Sequence, residues 1–448
     1  MTFWADERAV TVQVGTVLLF ATLIVAMSLY QATAIPSQNA EIEFRHSKQI
    51  QGQMQDVRNA VVRTGATGTS RPISVTLGTQ YPSRMFFINP PPSSGTLRTA
   101  NSGTVGIENV TARSPETADY LDSSRTNLSF STRSLVYEPN YNQYDNAPDT
   151  VLENAVVYNR ANEGNATLTG QQLVHGRSIT LVTLDGSLSE SQSATMSIDP
   201  QALSPSTTEM RSIPVRSNGD GNVTIRVSTG LNEEKWNDLL ANQMVSEPGG
   251  YVADVSVENG ILRLTLLGTD ASGKYVTYDL RMAKVGIGAG GESSQAHYVT
   301  SVSGTGMSVS EGSQTQLAVE VRDTYNNPVS GASVNVTLAD STPSTSHELD
   351  NGTETGQTVR MTTGSDGIAT VSYHLQSVPG VAMMSKSEPV STTCRRRTRS
   401  SIRSERKRSR STLPQSDETG TAGMAHPTMV RRVGMVAPGI SNTSPTVD

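Results

Sequence analysis

The stretch VEVRDTYNNPVSGASVNVTL, residues 319–338, contains two short alternating runs separated by a turn. Alternation of apolar and polar residues gives a strand one apolar face, and Asn and Pro between two such runs mark a turn. We therefore predict two strands joined by a turn at 323–328. Apolar residues hold every second position in both: Leu317, Val319 and Val321, then Val334, Val336 and Leu338.

A second stretch, TTGSDGIATVSY at 362–373, continues this pattern, since Val371 and Tyr373 alternate after a turn at 364–367. Short strands at this spacing predict a β-sandwich over 299–377. The two stretches, in this order, resemble the Ig-like repeat of bacterial invasins and intimins. The resemblance implies a rigid extracellular spacer or adhesive module and does not imply catalysis.

The N-terminal region predicts a membrane span. Residues 9–30, AVTVQVGTVLLFATLIVAMSLY, carry no charge, and a helix of this length spans about 33 Å, enough to cross a hydrocarbon core. Arg8 precedes the run, whereas the next basic residues, Arg45 and Lys48, lie well beyond it. The positive-inside rule then favours a cytoplasmic leader (1–8) and an extracellular body. The alternative is a cleaved signal peptide with a weak site at Ala32 and Ala34.

The same region resembles the N-terminus of archaeal type IV pilin-like proteins, in which a short charged leader precedes an apolar helix. The resemblance implies processing near Arg8, Ala9 and Val10 and a helix that serves both as anchor and as filament packing surface. This sequence lacks the Glu that bacterial pilins carry near the helix start, and Gln13 is the strongly polar residue there.

Residues 31–64 are expected to break near Pro36 and then to form an amphipathic stalk helix. Ile50, Met54, Val57 and Val61 recur at helical spacing and form one stripe. This layout is typical of a pilin stalk resting on a sheet, and an ordinary juxtamembrane helix is the alternative.

Residues 65–285 are predicted to form a β-rich ectodomain, which resembles haloarchaeal pilin-like surface proteins in layout. Strands are expected at 73–77 and 84–88, and ILRLTLLG (261–268) is expected to form a hairpin with YVTYDLRM (275–282) through TDASGK. A helix in 229–244 should begin at an Asn232 cap and bury Trp236, Leu239 and Leu240.

Two further segments are predicted to be irregular. Residues 113–149 are interpreted as a long surface loop with some strands, in which Tyr137, Tyr141 and Tyr144 are exposed without a specific role, and a binding role for them is the alternative. Residues 286–298 include the glycine-rich GIGAGGESSQ, but no helix follows to receive a phosphate, so a flexible linker is expected.

Composition separates an acidic body from a basic tail. Residues 1–393 carry 24 basic and 37 acidic residues, whereas 394–448 carry 11 and 4. Lys supplies only six of the 35 basic residues, which favours a haloarchaeal origin, with a GC-rich mesophile as the alternative. The single Cys394 excludes an intramolecular disulfide.

The tail, 378–448, is predicted to be disordered and Arg/Ser-rich. STTCRRRTRSSIRSERKRSRS (391–411) places nine basic residues in 21 positions. Such runs bind nucleic acid by neutralising phosphates, but an exported tail would not meet it, so nucleic acid is not an expected partner. A shift of the reading frame near Pro379 is a further interpretation, because alternation stops and the charge changes sign there.

No constellation of catalytic, cofactor-binding or metal-binding residues is readable, so neither an enzyme nor a cofactor is expected. The six His are not paired at helical spacing, and the Asp-Gly turns do not continue into a calcium loop. Asn-x-Ser/Thr sequons are candidate N-glycosylation sites. They lie at Asn109, Asn127, Asn165, Asn222, Asn335, Asn351 and Asn442.

The sequence as a whole predicts a mainly β protein with a transmembrane and stalk helix, a β-rich ectodomain, a C-terminal Ig-like sandwich and a disordered tail. The expected function is that of a single-pass, membrane-anchored extracellular surface protein, structural or adhesive. Expected partners are the membrane and other surface or pilus subunits or cell-envelope glycans. The alternatives are a pilin-like filament subunit and, after it, a nucleic-acid-binding protein that acts through the basic tail.

Overall fold

A computed structural model describes residues 7–118, 120–121, 125–205, 209–219, 221–310, 312–338 and 347–376, and the backbone of 388–394 and 431–435. The fold is mainly β with one long N-terminal helix, which confirms the predicted fold class. The chain divides into two compact units. Unit 1 comprises Met1–Ser294 with Tyr325–Asn327, and unit 2 comprises Gln295–Thr324 and Pro328–Asp448.

One continuous helix, α1 (Glu7–Thr67), replaces the two predicted helices, so the break expected at Pro36 is wrong. A proline inside a helix removes one backbone hydrogen bond and crowds the carbonyl four residues earlier, but the turns on both sides can continue. The side chains of Ile35 and Asn39 next to it are buried, and this packing holds the helix across the defect. Further on, the predicted stripe of Ile50, Met54, Val57 and Val61 is buried as expected.

The other elements of unit 1 are a second helix, 3-10 turns and the strands of its sheets. A second helix, α2, spans Glu233–Leu240, and 3-10 turns occupy Pro115–Thr117 and Ala241–Gln243. The described strands are β1 (Ile73–Thr76), β2 (Ser94–Glu108), β3 (Val110–Ala112), β4 (Leu128–Asn140), β5 (Asp149–Glu153), β6 (Val156–Ala161), β7 (Gly164–Thr167), β8 (Val174–His175), β9 (Ser178–Asp185), β10 (Ser189–Gln192), β11 (Thr195–Ile198), β12 (Gln201–Ser204), β13 (Ser212–Ser217), β14 (Val223–Ser228), β15 (Val252–Glu258), β16 (Ile261–Leu266) and β17 (Tyr278–Gly286).

The described strands of unit 1 form three sheets. We use the name head for these sheets together with the residues that share their apolar core. The largest has the order β15-β16-β14-β2-β4-β5-β6-β7, with β10 paired to β2. The second has the order β3-β13-β17-β9-β8, with β12 paired to β17, and β1 pairs only with β11. The stripe of α1 packs into one apolar core with residues of all three sheets, among them Leu135, Ile198 and Val285. The second half of α1 is therefore part of the head.

The expected hairpin between β16 and β17 is wrong. β16 pairs with β14 and β15 in the largest sheet, whereas β17 runs parallel to β9 in the second sheet. The intervening TDASGK does turn, and the Asp270 carboxylate accepts hydrogen bonds from the Ser272 and Lys274 amides at 2.9 and 3.0 Å. Alternation alone could not show that β17 would be mostly buried and take a central place in another sheet.

Two further segments, 84–88 and 113–149, also differ from the prediction. The strand expected at 84–88 does not form, and the chain bends there between Pro82 and Pro90, in a region where prolines cannot donate to a ladder. Conversely, much of the predicted surface loop 113–149 is strand β4, and the Tyr137 side chain is only 1% exposed. The expectation that its tyrosines are exposed is therefore wrong for Tyr137. The polar composition of 113–149 gave no indication that one face of β4 packs into the core.

The predicted glycine linker is ordered at its start. β17 continues to Gly286, and the backbones of Ile287 and Ala289 donate to Asp185 and Ser187, both at 2.9 Å. Gly288 has φ +77°, and a Cβ there would lie 2.3 Å from the Ser187 carbonyl oxygen. Gly288 permits the close approach of two backbones, so it does not act here as a flexible linker residue.

Helix α2 forms where the sequence predicts it. The Asn232 side chain caps it by accepting a hydrogen bond from the Lys235 amide at 3.1 Å. Trp236 and Leu240 are buried, Leu239 is half-buried, and the Trp236 indole donates to the Thr229 hydroxyl at 3.1 Å.

Unit 2 confirms the predicted β-sandwich. The alternating residues of 317–338 and 371–373 lie together in its apolar core. One sheet has the order β18-β20-β25-β22-β23 and the other β19-β26-β27-β21-β24. The described strands are β18 (Ala296–Ser303), β19 (Met307–Val309), β20 (Gln314–Asp323), β21 (Ser333–Thr337), β22 (His347–Asp350), β23 (Thr355–Gly356), β24 (Thr358–Thr362), β25 (Ile368–Leu375), β26 (Glu388–Cys394) and β27 (Arg431–Met435).

The last two strands, β26 and β27, lie within 378–448, the segment predicted to be a disordered tail. β26 pairs with β19 in antiparallel fashion and with β27 in parallel. Both lie between β19 and β21 in the second sheet of the sandwich. The rest of the tail (378–387, 395–430 and 436–448) lies outside the described residues.

We predict that Met54→Ala lowers the free energy of unfolding of unit 1 by about 2–5 kcal/mol, because it leaves a cavity in the core shared by α1 and the sheets. The measurement is a denaturant melt of the full chain in detergent, followed by the fluorescence of buried Trp236 in a Trp4→Phe background. Asp56→Ala, an exposed position on the same helix, is the control and should change little. Equal effects of the two substitutions would contradict the packing of α1.

Candidate functional site

Metal-binding groups and pockets are the features that most often carry chemistry in a protein. Within the described ranges, no group of three or more His, Cys, Asp or Glu side chains is placed to hold a metal ion. A polar hollow of about 320 Å³ in the head is lined by Arg133, Arg160 and Glu153, among others. Burial raises the pKa of Glu153, and its carboxylate accepts from the Gly230 amide at 2.9 Å and the Tyr158 hydroxyl at 3.3 Å. Glu153 thus serves the fold as an acceptor.

The predicted sequons differ in how their side chains are used. The amide nitrogen that a glycan would occupy already donates to a backbone carbonyl in Asn109 (2.8 Å), Asn165 (2.8 Å) and Asn351 (2.7 Å). Asn127 and Asn222 are exposed just before β4 and β14, and their side-chain oxygens accept backbone hydrogen bonds. Asn335 is half-buried within β21, and Asn442 lies outside the described residues. Asn127 and Asn222 therefore have the geometry that best fits a glycan acceptor.

The predicted processing residues Arg8, Ala9 and Val10 lie at the start of α1. Their side chains fall outside the described residues. From Val12 to Tyr30 the helix is exposed, with Val12 68% and Leu19 70% exposed. The helix is long and apolar enough to cross a membrane, and none of the other residues that the structure describes buries its most apolar window.

The most concentrated polar chemistry on α1 is a group that we call the Glu43 cluster: Glu43 and His46 of α1, Tyr81, Tyr141 and the backbone of 142–144. Glu43 is 0% exposed. Its carboxylate accepts hydrogen bonds from three successive backbone amides, those of Asn142 (2.8 Å), Gln143 (2.8 Å) and Tyr144 (2.6 Å). Consecutive amides that converge in this way form a nest for an anion. The carboxylate is therefore well paired although it is buried.

Two side chains complete the surroundings of Glu43. The Tyr81 hydroxyl donates to the Glu43 carboxylate, and burial together with this bond raises the pKa of Tyr81 to about 12. The Phe44 ring packs edge-on against Tyr144, with 5.6 Å between centroids. The loop that supplies the amides is thus held to α1 by both polar and aromatic contacts.

His46 forms the second half of the cluster. One ring nitrogen, Nδ1, lies 2.7 Å from the Tyr141 hydroxyl, and Nε2 lies 2.9 Å from the Thr76 carbonyl oxygen. Since the carbonyl can only accept, Nε2 carries a proton, and the neutral ring then accepts from Tyr141 at Nδ1. Burial lowers the pKa of His46, which favours this neutral form, and burial raises the pKa of Tyr141.

The Glu43 cluster has the residue types of an acid–base site but not the openness of one. Glu43 and His46 are both buried and their polar atoms are paired within the protein. A substrate could reach neither group without displacing the loop. The arrangement instead fixes α1 against β1 and the loop that follows β4.

The sequence predictions did not include the Glu43 cluster, although the spacing of residues along α1 pointed to it. The stripe that ends at Val61 continues towards the N-terminus through Ile50, His46, Glu43, Asn39 and Ile35 at helical spacing. All of these side chains are buried. A carboxylate and an imidazole on the core face of a helix indicate buried polar partners, but only the fold shows that the partners come from 81 and 141–144.

We predict that Glu43→Ala lowers the free energy of unfolding of unit 1 by at least about 3 kcal/mol, because it leaves buried amides without an acceptor. The matched control is Glu41→Ala on the same helix, which removes only an exposed ion pair with Arg45 and should cost less than about 1 kcal/mol. The same detergent melt measures both. A Glu43→Ala effect no larger than that of Glu41→Ala would overturn the role assigned to the nest.

We also predict that acid weakens the attachment of α1 through His46. The folded-state pKa of His46 lies below its usual 6.5, so the unfolded chain binds the proton more readily. The stabilisation is therefore complete above pH 6.5 and is lost as the pH falls from there through the folded-state pKa. The charged or titratable neighbours are Glu43, Tyr81 and Tyr141.

Melts at a series of pH values test this, with His46→Gln as the comparison. Wild type should lose more stability than the variant between neutral pH and about pH 5. Parallel stability curves for the two proteins would show that His46 does not titrate in this way.

Comparison with known proteins gives little functional information. No protein-family profile matches the sequence. An uncharacterized protein of Archaeoglobus fulgidus is 25% identical over 336 residues, which are 73% of this chain and 53% of that protein. The chain thus spans about half the length of the relative that it matches.

Proposed function

We propose that this chain is a membrane-anchored surface protein, in which the first half of α1 spans the bilayer and the β-rich body stands outside the cell. The observation that carries the proposal is the exposed apolar surface of α1 between Val12 and Tyr30. A surface of this size is costly in water and is matched by the hydrocarbon core of a membrane.

The continuity of α1 joins the apolar segment directly to the head, whether the chain keeps it as an anchor or loses it as a signal sequence. The apolar segment passes without interruption into residues that are buried in the head, from Ile35 to Val61. A cut at the weak site after Ala34 would fall directly before this buried stripe. The head would then lose its attachment but no core residue from Ile35 onward, so both products are structurally feasible and the test must separate them.

The role that we propose for the body is structural or adhesive. Unit 2 is a β-sandwich whose core consists of alternating strand residues, and rigid sandwiches of this type serve as spacers or binding modules. The polar atoms of the Glu43 cluster are used within the fold, which also fits a mechanical role better than a catalytic one. Other surface subunits or envelope glycans are the partners that we propose.

A pilin-like filament subunit is the second candidate, favoured by the same exposed helix. Filament subunits pack such helices against one another after removal of a leader. The two candidates differ in the mature N-terminus. A chain that begins at Ala9 or Val10 and is found in sheared filaments would favour the subunit, whereas a chain that keeps Met1 and stays in the membrane would favour the anchor.

We predict that the full chain stays in the membrane fraction after carbonate extraction and that protease added to intact cells digests its body. Leu18→Arg with Leu23→Arg should move the chain to the soluble fraction, because each charge at the centre of a span costs about 2.5–3.5 kcal/mol. The control pair is Leu18→Ala with Leu23→Ala. A body that resists protease while accessible surface proteins are digested would refute the extracellular assignment.

A further inference from the structure

The loop at residues 81–92, which we call the tip loop, exposes an unusual group of apolar side chains. Met85, Phe86 and Ile88 are 88%, 73% and 81% exposed. Large apolar residues that cluster on a surface usually mark an interaction site. The sequence of the loop, YPSRMFFINPPP, contains no acidic residue and one basic residue, Arg84.

The end of the tip loop is held to one level of α1. The Gln31 side-chain amide donates to the Ile88 carbonyl at 2.9 Å and accepts from the Ile88 amide at 3.0 Å. Beside it, the Phe87 ring packs on Tyr30 with 4.9 Å between centroids. Gln31 thus binds the loop backbone by a pair of hydrogen bonds, as a neighbouring strand would.

A second set of contacts holds the loop further along the helix. Arg84 donates to the Gln38 side chain at 2.6 Å and to the Asn89 side chain at 3.2 Å. Asn89 in turn donates to the Pro82 carbonyl at 2.7 Å and so closes the loop on itself. Gln38 lies about 10 Å along the helix axis from Gln31. Two attachments at this separation fix the direction in which the loop projects.

The level of the tip coincides with the end of the apolar run. Tyr30 is the last residue of the apolar segment 9–30, and this segment has the length of a hydrocarbon core. If that segment spans the bilayer, Tyr30 and Gln31 lie at the boundary between the hydrocarbon and the polar layer. Met85, Phe86 and Ile88 then lie at the same boundary, beside the helix.

We propose that the tip loop is a second membrane contact, which inserts Met85, Phe86 and Ile88 into the interfacial layer of the leaflet next to the head. The inference rests on the proposed membrane anchoring. Aromatic and apolar side chains are favoured at this depth, and the exposed surface of the loop is continuous with the exposed apolar surface of α1. The partner is therefore lipid, and the loop limits how far the head can tilt about the end of the span.

The test uses labels at single cysteines in the full chain, with Cys394→Ser as background. Met85→Cys and Phe86→Cys report on the tip, and Leu19→Cys reports on the span. Gly170→Cys, at an exposed position where an added Cβ would meet no atom within 4 Å, is the matched control. The Gly170 carbonyl accepts a hydrogen bond from Arg58 at 3.1 Å, and Arg58 is about 40 Å along the helix from Gln31.

Each variant is labelled with a polarity-sensitive fluorophore and reconstituted in vesicles of phosphatidylcholine and phosphatidylglycerol. Lipids with a nitroxide near the headgroup then act as quenchers. We expect blue-shifted emission and at least about a two-fold loss of fluorescence at Met85 and Phe86, and no change at Gly170. Phe86→Ser should leave the Trp236 melt unchanged, which would show that the exposed ring is not needed for folding.

The outcomes separate this inference from the proposed function. Quenching at Leu19 by acyl-chain nitroxides with none at the tip would overturn the membrane contact while leaving the anchor intact. Absence of quenching at Leu19 would refute the anchor itself. Cross-linking between Met85→Cys copies that rises with protein density, without quenching at the tip, would replace lipid by a second copy of the chain and so overturn the inference.

Discussion

Along one continuous helix, this chain joins an apolar surface open to its surroundings to an apolar stripe buried in a protein core. Residues Val12 to Tyr30 are exposed, and the stripe from Ile35 to Val61 is buried. A helix keeps one direction over its whole length, because backbone hydrogen bonds fix each residue to the turn before it. The packing of the second half therefore sets the angle at which the first half leaves the head.

Pro36 lies where the exposed part of α1 meets the buried part. A break of the helix at this position would let the exposed part move independently of the head. The structure keeps the helix intact, with Ile35 and Asn39 buried on either side of the proline. One missing hydrogen bond costs far less than the burial of the stripe contributes. The proline can introduce a slight bend without making a joint.

Local patterns in the sequence were sufficient where an element depends on its own residues. The stripe of Ile50 and Met54, the Asn232 cap and the alternation around Val319 and Val334 each predicted an element that the structure contains. They depend on helical or strand period and on a cap, all of which lie within a few residues.

Where the outcome depends on distant residues, the same patterns gave the wrong answer. β16 and β17 alternate like a hairpin, but their partners lie in different sheets. The segment at 84–88 looks like a strand, yet its neighbours along α1 bind it as a loop. Tyr137 lies in a polar stretch, and its burial depends on α1 and β1 packing over it. Pairing and burial of this kind are decided by chain segments that lie far apart in the sequence.

The Glu43 cluster resolves an ambiguity that apolar packing leaves open. A stripe of Ile50, Met54, Val57 and Val61 repeats every three or four residues, so a helix displaced by one turn would again present apolar side chains to the sheets. Burial energy alone discriminates poorly between such positions. A buried carboxylate does so sharply, because it is stable only where the three amides of 142–144 meet it. Displacement by one turn, about 5.4 Å, would leave the charge and the amides unpaired. The register of α1 then also determines that Gln31 meets Ile88 and that the tip loop stands level with Tyr30. The buried Glu43 carboxylate in this way sets the position of α1 relative to the tip loop.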